Sequence, residues 1–201
     1  VQFESRQHIP MPLQDVTLDW SVIGEEKKDE KKTSYSILLV AVPNKVIAEY
    51  QKIAELCAVK ISALEAEVFS LARAAIKGED VKKVVQLVDI GEQSTTISII
   101  KNGSIKSSYN IDFSSANMAQ YIATSLKIEY NEAEEIRNSY GIDDSSVGVL
   151  FRSYFDNLLV ELRQISDNFF RTEKKEIEKI ILSGGPAALP GLGDYLKEKT
   201  N

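Results

Sequence analysis

Asp89-Ile90-Gly91 closes an apolar run, and Ser94-Thr95-Thr96 follows almost at once. A carboxylate at a strand end can serve as a metal-water ligand. A glycine lets backbone N–H groups converge on one anion, and hydroxyls add donors at the start of the next strand. That is the chemistry of a phosphate-binding loop. The same residues also make a plain turn between two strands, and without context the turn is the commoner outcome. A second junction of this kind lies in ILSGGPAALPGLG, Ile181 to Gly193. There Gly184 and Gly185 permit a sharp bend and the close approach of a flat ligand. Pro186 and Pro190 define the entry to a last helix. By itself this is a strand-to-helix turn.

Composition narrows the field. The 201 residues are 43% hydrophobic and 27% charged, the balance of a soluble globular chain of one large or two small domains. A net charge of −6 with no basic cluster argues against nucleic acid or acidic membrane as partners. One histidine, His8, and one cysteine, Cys57, leave no material for a His/Cys metal cluster, a histidine-dependent triad or an internal disulfide. No apolar run approaches the ~20 residues of a membrane helix. The chain opens on Val1 in a stretch that reads like the inside of an element, so a fragment of a longer protein is expected.

The elements that must position the two glycine junctions read as follows. Val1, Phe3 and Ile9 suggest a short helix stopped by Pro10 and Pro12. Val16, Leu18, Trp20 and Val22 alternate with polar residues, which predicts a half-buried strand with Trp20 in a core. Glu25 to Ser34 is a mixed-charge run expected to be a solvated loop. A more buried strand ends at Pro43, and Asn44 can cap a helix whose Val46, Tyr50, Ile53 and Cys57 share one face. Cys57 on that stripe is expected as a core thiol. A third strand from Ile61 is expected to pass into a helix near Glu67. Residues 1–77 thus form a small α+β unit, with the polar run Lys77 to Lys83 as its boundary.

The second unit, 84–201, opens with three strands around Gln86–Ile90, Thr95–Lys101 and Ile105–Ile111, the last two joined by Asn102-Gly103, a strong hairpin signal. Met118, Ile122 and Leu126 mark a helix, and Asn131 can cap a short one ended by Gly141. Val147, Phe151, Tyr154, Leu158, Leu162, Ile165 and Phe169 form the stripe of a long amphipathic helix. A strand around Ile177–Leu182 and a terminal helix complete a β-β-β-α, helical excursion, α-β-α order.

Two glycine junctions in that order resemble the actin/Hsp70/sugar-kinase nucleotide-binding superfamily. Asp89-Ile90-Gly91-x-x-Ser94-Thr95 is similar to its second phosphate loop. Ser183-Gly184-Gly185-x-Ala187-x-Leu189-x-Gly191-Leu192 is similar to its adenosine loop, and Ala133-Glu134-x-Ile136-Arg137 with Gly141 to its ribose-contacting helix. Ile9-Pro10-Met11-Pro12-Leu13-Gln14-Asp15-Val16, Leu18-Asp19-Trp20-Ser21-Val22-Ile23-Gly24 and Leu64-Glu65-x-Glu67-x-Phe69-Ser70-Leu71-Ala72-Arg73 resemble the SHS2-type insertion domain of the type IV pilus assembly PilM family, a relative of FtsA.

The resemblance implies an α/β, actin-like (ribonuclease H-like) second half carrying a small α+β insertion domain, without the N-terminal actin-like subdomain. It implies ATP and Mg as ligands. Asp89 would hold Mg through water; Gly91, Ser94, Thr95 and Thr96 would address phosphate; Glu134 and Arg137 ribose and base; Gly184 and Gly185 the adenosine. It implies at most weak ATPase activity, with little in this fragment. The expected role is a cytoplasmic scaffold, peripheral at the inner membrane, that recruits the cytoplasmic tail of a PilN-like protein, with other pilus proteins or self as further partners. An FtsA-like division protein and a sugar- or acetate-kinase-like phosphotransferase are the alternatives. Two departures stand out: Ser114-Ser115 occupies a place where glycines are expected, and Glu92-Gln93 replaces loop glycines.

Overall fold

The structure, a computed structural model, describes residues 9–29 and 32–200. The helix expected near the start and His8 lie outside the described residues. The chain divides into two compact units, Val1–Glu65 and Ala66–Asn201.

The first unit is a two-stranded antiparallel ribbon, β1 (Val16–Asp29) and β2 (Lys32–Pro43), followed by α1 (Asn44–Leu56). The register runs from Val16 opposite Pro43 to Asp29 opposite Lys32, so the charged stretch expected as a loop is mostly strand. Cross-strand pairing satisfies the inward-pointing backbone groups of both strands whatever their side chains, so a charged run can continue the ribbon. Trp20, opposite Leu39, is 50% exposed, not a core residue. Cys57 is likewise exposed, and on α1 Val46, Tyr50 and Ile53 stay exposed while Ala54 is buried. Asn44 does not cap α1. Its amide donates to the Gln14 carbonyl and its side-chain oxygen accepts from the Thr17 hydroxyl, tying the helix start to the entry of β1. Residues 59–66 form no strand, since among the described residues no partner strand pairs with them.

The second unit is a four-stranded sheet of order β5-β4-β3-β6: β3 (Val84–Ile90), β4 (Thr95–Lys101), β5 (Ser104–Ile111) and β6 (Lys179–Ser183). The first three are antiparallel neighbours; β6 runs parallel to β3. Asn102 and Gly103 both adopt positive φ, 54° and 70°, the geometry a tight hairpin requires. One face of the sheet packs on α2 (Glu67–Ala75), with Ala72 against Val85, Leu87, Ile100 and Ile105. The helix expected to end the first unit therefore belongs to the second.

The other face carries the larger core. It is covered by α3 (Ser115–Leu126), α4 (Tyr130–Ser139), α5 (Gly148–Glu173) and α6 (Leu192–Thr200). Every residue of the expected long-helix stripe, from Val147 to Phe169, is buried. α4 starts after Glu129 without a side-chain cap, so Asn131 has no capping role.

Candidate functional site

Because β3 and β6 are parallel neighbours, both glycine bends leave the sheet at the carboxyl ends of adjacent strands, with Asp89 in register with Ser183. Open α/β sheets present their ligand crevices at such strand ends. The bends touch. Gly184 has φ +90°, and a Cβ there would lie 2.1 Å from the Ile90 carbonyl oxygen. No L-residue fits at that position. Gly185 is different: its φ lies outside the left-handed region and a Cβ would meet nothing within 4 Å. The Cβ position of Gly185 faces open space.

The Gly91 bend is closed by its own backbone, the Gly91 N–H donating to the Ser94 carbonyl at 2.9 Å. The amides of Glu92, Gln93 and Ser94 make no turn or loop hydrogen bond among the described residues. They are three donors on one tight bend, the arrangement that suits phosphate oxygens.

Strand alternation sorts the side chains. Asp89 lies on the α2 face and lines a recess of about 40 Å³ with Glu67, Leu71, Thr96 and Ser98. Thr95 lies on the opposite face, fully buried, and its hydroxyl donates to the Phe113 carbonyl at 2.7 Å. Thr95 thus cannot offer its hydroxyl to a ligand, a correction that follows from period-two geometry. The Ser94 hydroxyl oxygen is within 3.2 Å of the Asn110 amide, which leaves its proton for another acceptor. Glu67 escapes sequence reasoning, because an acidic residue in a first helical turn is ordinary; only packing brings it beside Asp89.

Arg137 and Glu134 meet on one face of α4, 3.4 Å apart. The Arg137 side chain is only 13% exposed; it donates to the Ser115 carbonyl at 2.9 Å and comes within 4.0 Å of Glu92. Ser115 in turn donates its N–H to the Gly91 carbonyl at 3.0 Å, and Ala116 donates to Glu92 at 3.1 Å. The Ser114 hydroxyl accepts the Asn117 N–H and caps α3. Serines thus replace the expected glycines to start a helix and hold the bend. The end of α4 reaches the other junction, where Ile142 donates to the Pro190 carbonyl at 2.9 Å and Gly141 leaves no room for a Cβ against Pro190. All three motifs are joined at one lip.

Its electrostatics are one-sided. Asp89 and Glu67 line the α2 side, and Glu92 and Glu134 approach the one guanidinium, Arg137, so a bare polyphosphate would be repelled. No group of three or more metal-ligating side chains occurs among the described residues. A cation caged by protein does not fit this lip. A magnesium ion held mostly by water and phosphate, with Asp89 behind it, does fit. A recess of about 940 Å³ along β6, α5 and α6 contains none of the lip residues.

A family model for type IV pilus assembly protein PilM matches residues 1–201. The FtsA cell division protein of Bacillus subtilis is 26% identical over 142 residues, 59% of this chain and 32% of FtsA. Among solved structures, a PilM–PilN type IV pilus biogenesis complex is similar at TM-score 0.78 with 22% identity, over 98% of this chain and 57% of that one. MreB5 of Spiroplasma citri bound to AMPPNP gives TM-score 0.60 at 15% identity, over 79% of this chain and 58% of MreB5. The chain therefore spans little more than half of these structural relatives and a third of FtsA. The fold is actin-like α/β, and with the full-length family match the chain belongs to the PilM family of type IV pilus assembly proteins.

Proposed function

We propose that this chain is the nucleotide-responsive part of a cytoplasmic scaffold in type IV pilus assembly. It holds an adenine nucleotide as its magnesium complex at the lip formed by the Gly91 and Gly184 bends. It acts at the inner face of the membrane by recruiting the cytoplasmic tail of a PilN-like protein. The observation that carries the reading is the contact of Gly184 with Ile90, which makes one lip of two loops, beside the open space at Gly185. Asp89 would hold magnesium through water; the Glu92–Ser94 amides and the Ser94 hydroxyl would receive phosphate; Thr96 stands beside Asp89. Glu134 and Arg137 receive the ribose and base, and Gly185 accommodates the adenosine. When bound, magnesium supplies the positive charge that the acidic lip lacks. The similar PilM–PilN complex supports the partner.

The test is calorimetric titration of the full chain with Mg-ATP, followed by capture of a PilN-tail peptide with and without nucleotide. Saturable Mg-ATP binding that is lost with EDTA, and capture that changes with nucleotide, are expected. Absence of binding removes the nucleotide half of the reading; absence of capture removes the scaffold half.

A further inference from the structure

We propose that Tyr154, on α5 and outside all three motifs, is the positioning residue of the lip: its hydroxyl fixes Ser114, and through Ser114–Ser115 it sets both the Gly91 bend and Arg137.

The hydroxyl of Tyr154 donates to the Ser114 carbonyl at 2.8 Å and accepts the Ser114 N–H at 3.3 Å. Ser114 is 1% exposed. Its carbonyl also accepts the Met118 N–H, so it keeps a partner whatever happens to Tyr154. Among the described residues its N–H has Tyr154 alone. Without that oxygen, a buried donor is left orphaned, which costs far more than the average hydrogen bond gains. The backbone at 114–116 can relieve this only by shifting. That same backbone carries the Ser115 and Ala116 amides on Gly91 and Glu92, and the Ser115 carbonyl on Arg137. A shift there is therefore passed to both sides of the lip.

Tyr154 is well held for this task. Its ring packs at 4.5 Å from Phe113, 5.6 Å from Tyr121 and edge-on at 5.9 Å from Phe155. Burial raises the phenol above its ordinary range, so it remains a donor at any physiological pH. Phenylalanine keeps the ring contacts and removes only the oxygen.

The experiment uses the full chain and three proteins: wild type, Tyr154→Phe, and Tyr195→Phe as control. The Tyr195 hydroxyl bonds Asp156 between α6 and α5, and its tie to the second glycine loop is the backbone N–H on the Gly191 carbonyl, which phenylalanine keeps. In Tyr154→Phe, exchange protection of the Ser114–Ala116 amides should fall about tenfold beyond any uniform stability loss. Mg-ATP affinity should fall about tenfold as well. Tyr195→Phe should lower stability and leave both untouched. A uniform loss of protection, or unchanged exchange at 114–116, overturns the proposal. Should Tyr154→Phe not fold, wild-type exchange decides it: Ser114, Ser115 and Ala116 must open together, separately from the rest of α3. The Mg-ATP readout rests on the nucleotide reading above. If wild type takes no Mg-ATP that reading fails, and the exchange pattern alone judges Tyr154.

Discussion

Gly184 and Gly185 stand side by side in one turn, yet the fold requires glycine only at the first. Gly184→Ala places a Cβ in the Ile90 carbonyl and forces a left-handed φ. Strain and overpacking together should cost about 3 kcal/mol or more in urea unfolding. Gly185→Ala should change stability by less than about 1 kcal/mol, while Mg-ATP titration should show weaker binding. Equal effects of the two substitutions on stability would remove the argument that Gly185 keeps space for a ligand. Residue types marked both junctions in the sequence. The division of labour within the pair depends on φ and on a neighbour distant in the chain, neither of which a dipeptide contains. Trp20 and Cys57 teach the same lesson. Each sits on an apolar stripe, and a stripe tells which residues share a face, not whether anything in the described structure covers it.

Elements governed by local rules were the most legible. The Asn102-Gly103 hairpin follows from its turn residues, and α5 from a stripe long enough to leave no competing period. Elements that depend on pairing were not. The charged ends of β1 and β2 pair across a register that composition cannot announce. α2 was legible as a helix, but its partner was not: Val68, Leu71 and Ala72 pack on the sheet of the second unit. Removing α2 uncovers Val85, Leu87, Ile100 and Ile105. A segment covering 66–201 should therefore unfold cooperatively, and one covering 78–201 should show a lower urea midpoint and bind a hydrophobic dye. Identical midpoints would return α2 to the first unit.

At the scale of the molecule, the alkaline limit of stability falls to buried phenols. Burial, and secondarily the hydrogen bond and charge of Asp156, push Tyr195 up to about 12 from 10.0. A pKa raised on folding means that the unfolded chain releases the proton first. The contribution is complete below about pH 10 and is lost as pH rises through about 12. Tyr154 is raised in the same sense, by burial foremost. Urea midpoints should stay level to about pH 10 and then fall, and Tyr195→Phe should flatten part of that fall. A midpoint that ignores pH across this window would show that Tyr195 is as solvated folded as unfolded.

The sequence by itself determined the strands and helices of the second unit and the identity of the bends, because φ preferences, two- and 3.6-residue periods and turn chemistry act over a few residues. It also carried the resemblance to the superfamily, since three motifs in order constrain more than any one, and the residues of the first unit carried the resemblance to the family. Only the tertiary structure decided that β6 lies beside β3, that Thr95 faces the core while Asp89 faces α2, and that Glu67 and Tyr154 belong to the account of the lip. The reason is that strand neighbours and register are chosen by packing between distant segments, and a local pattern is compatible with several such choices.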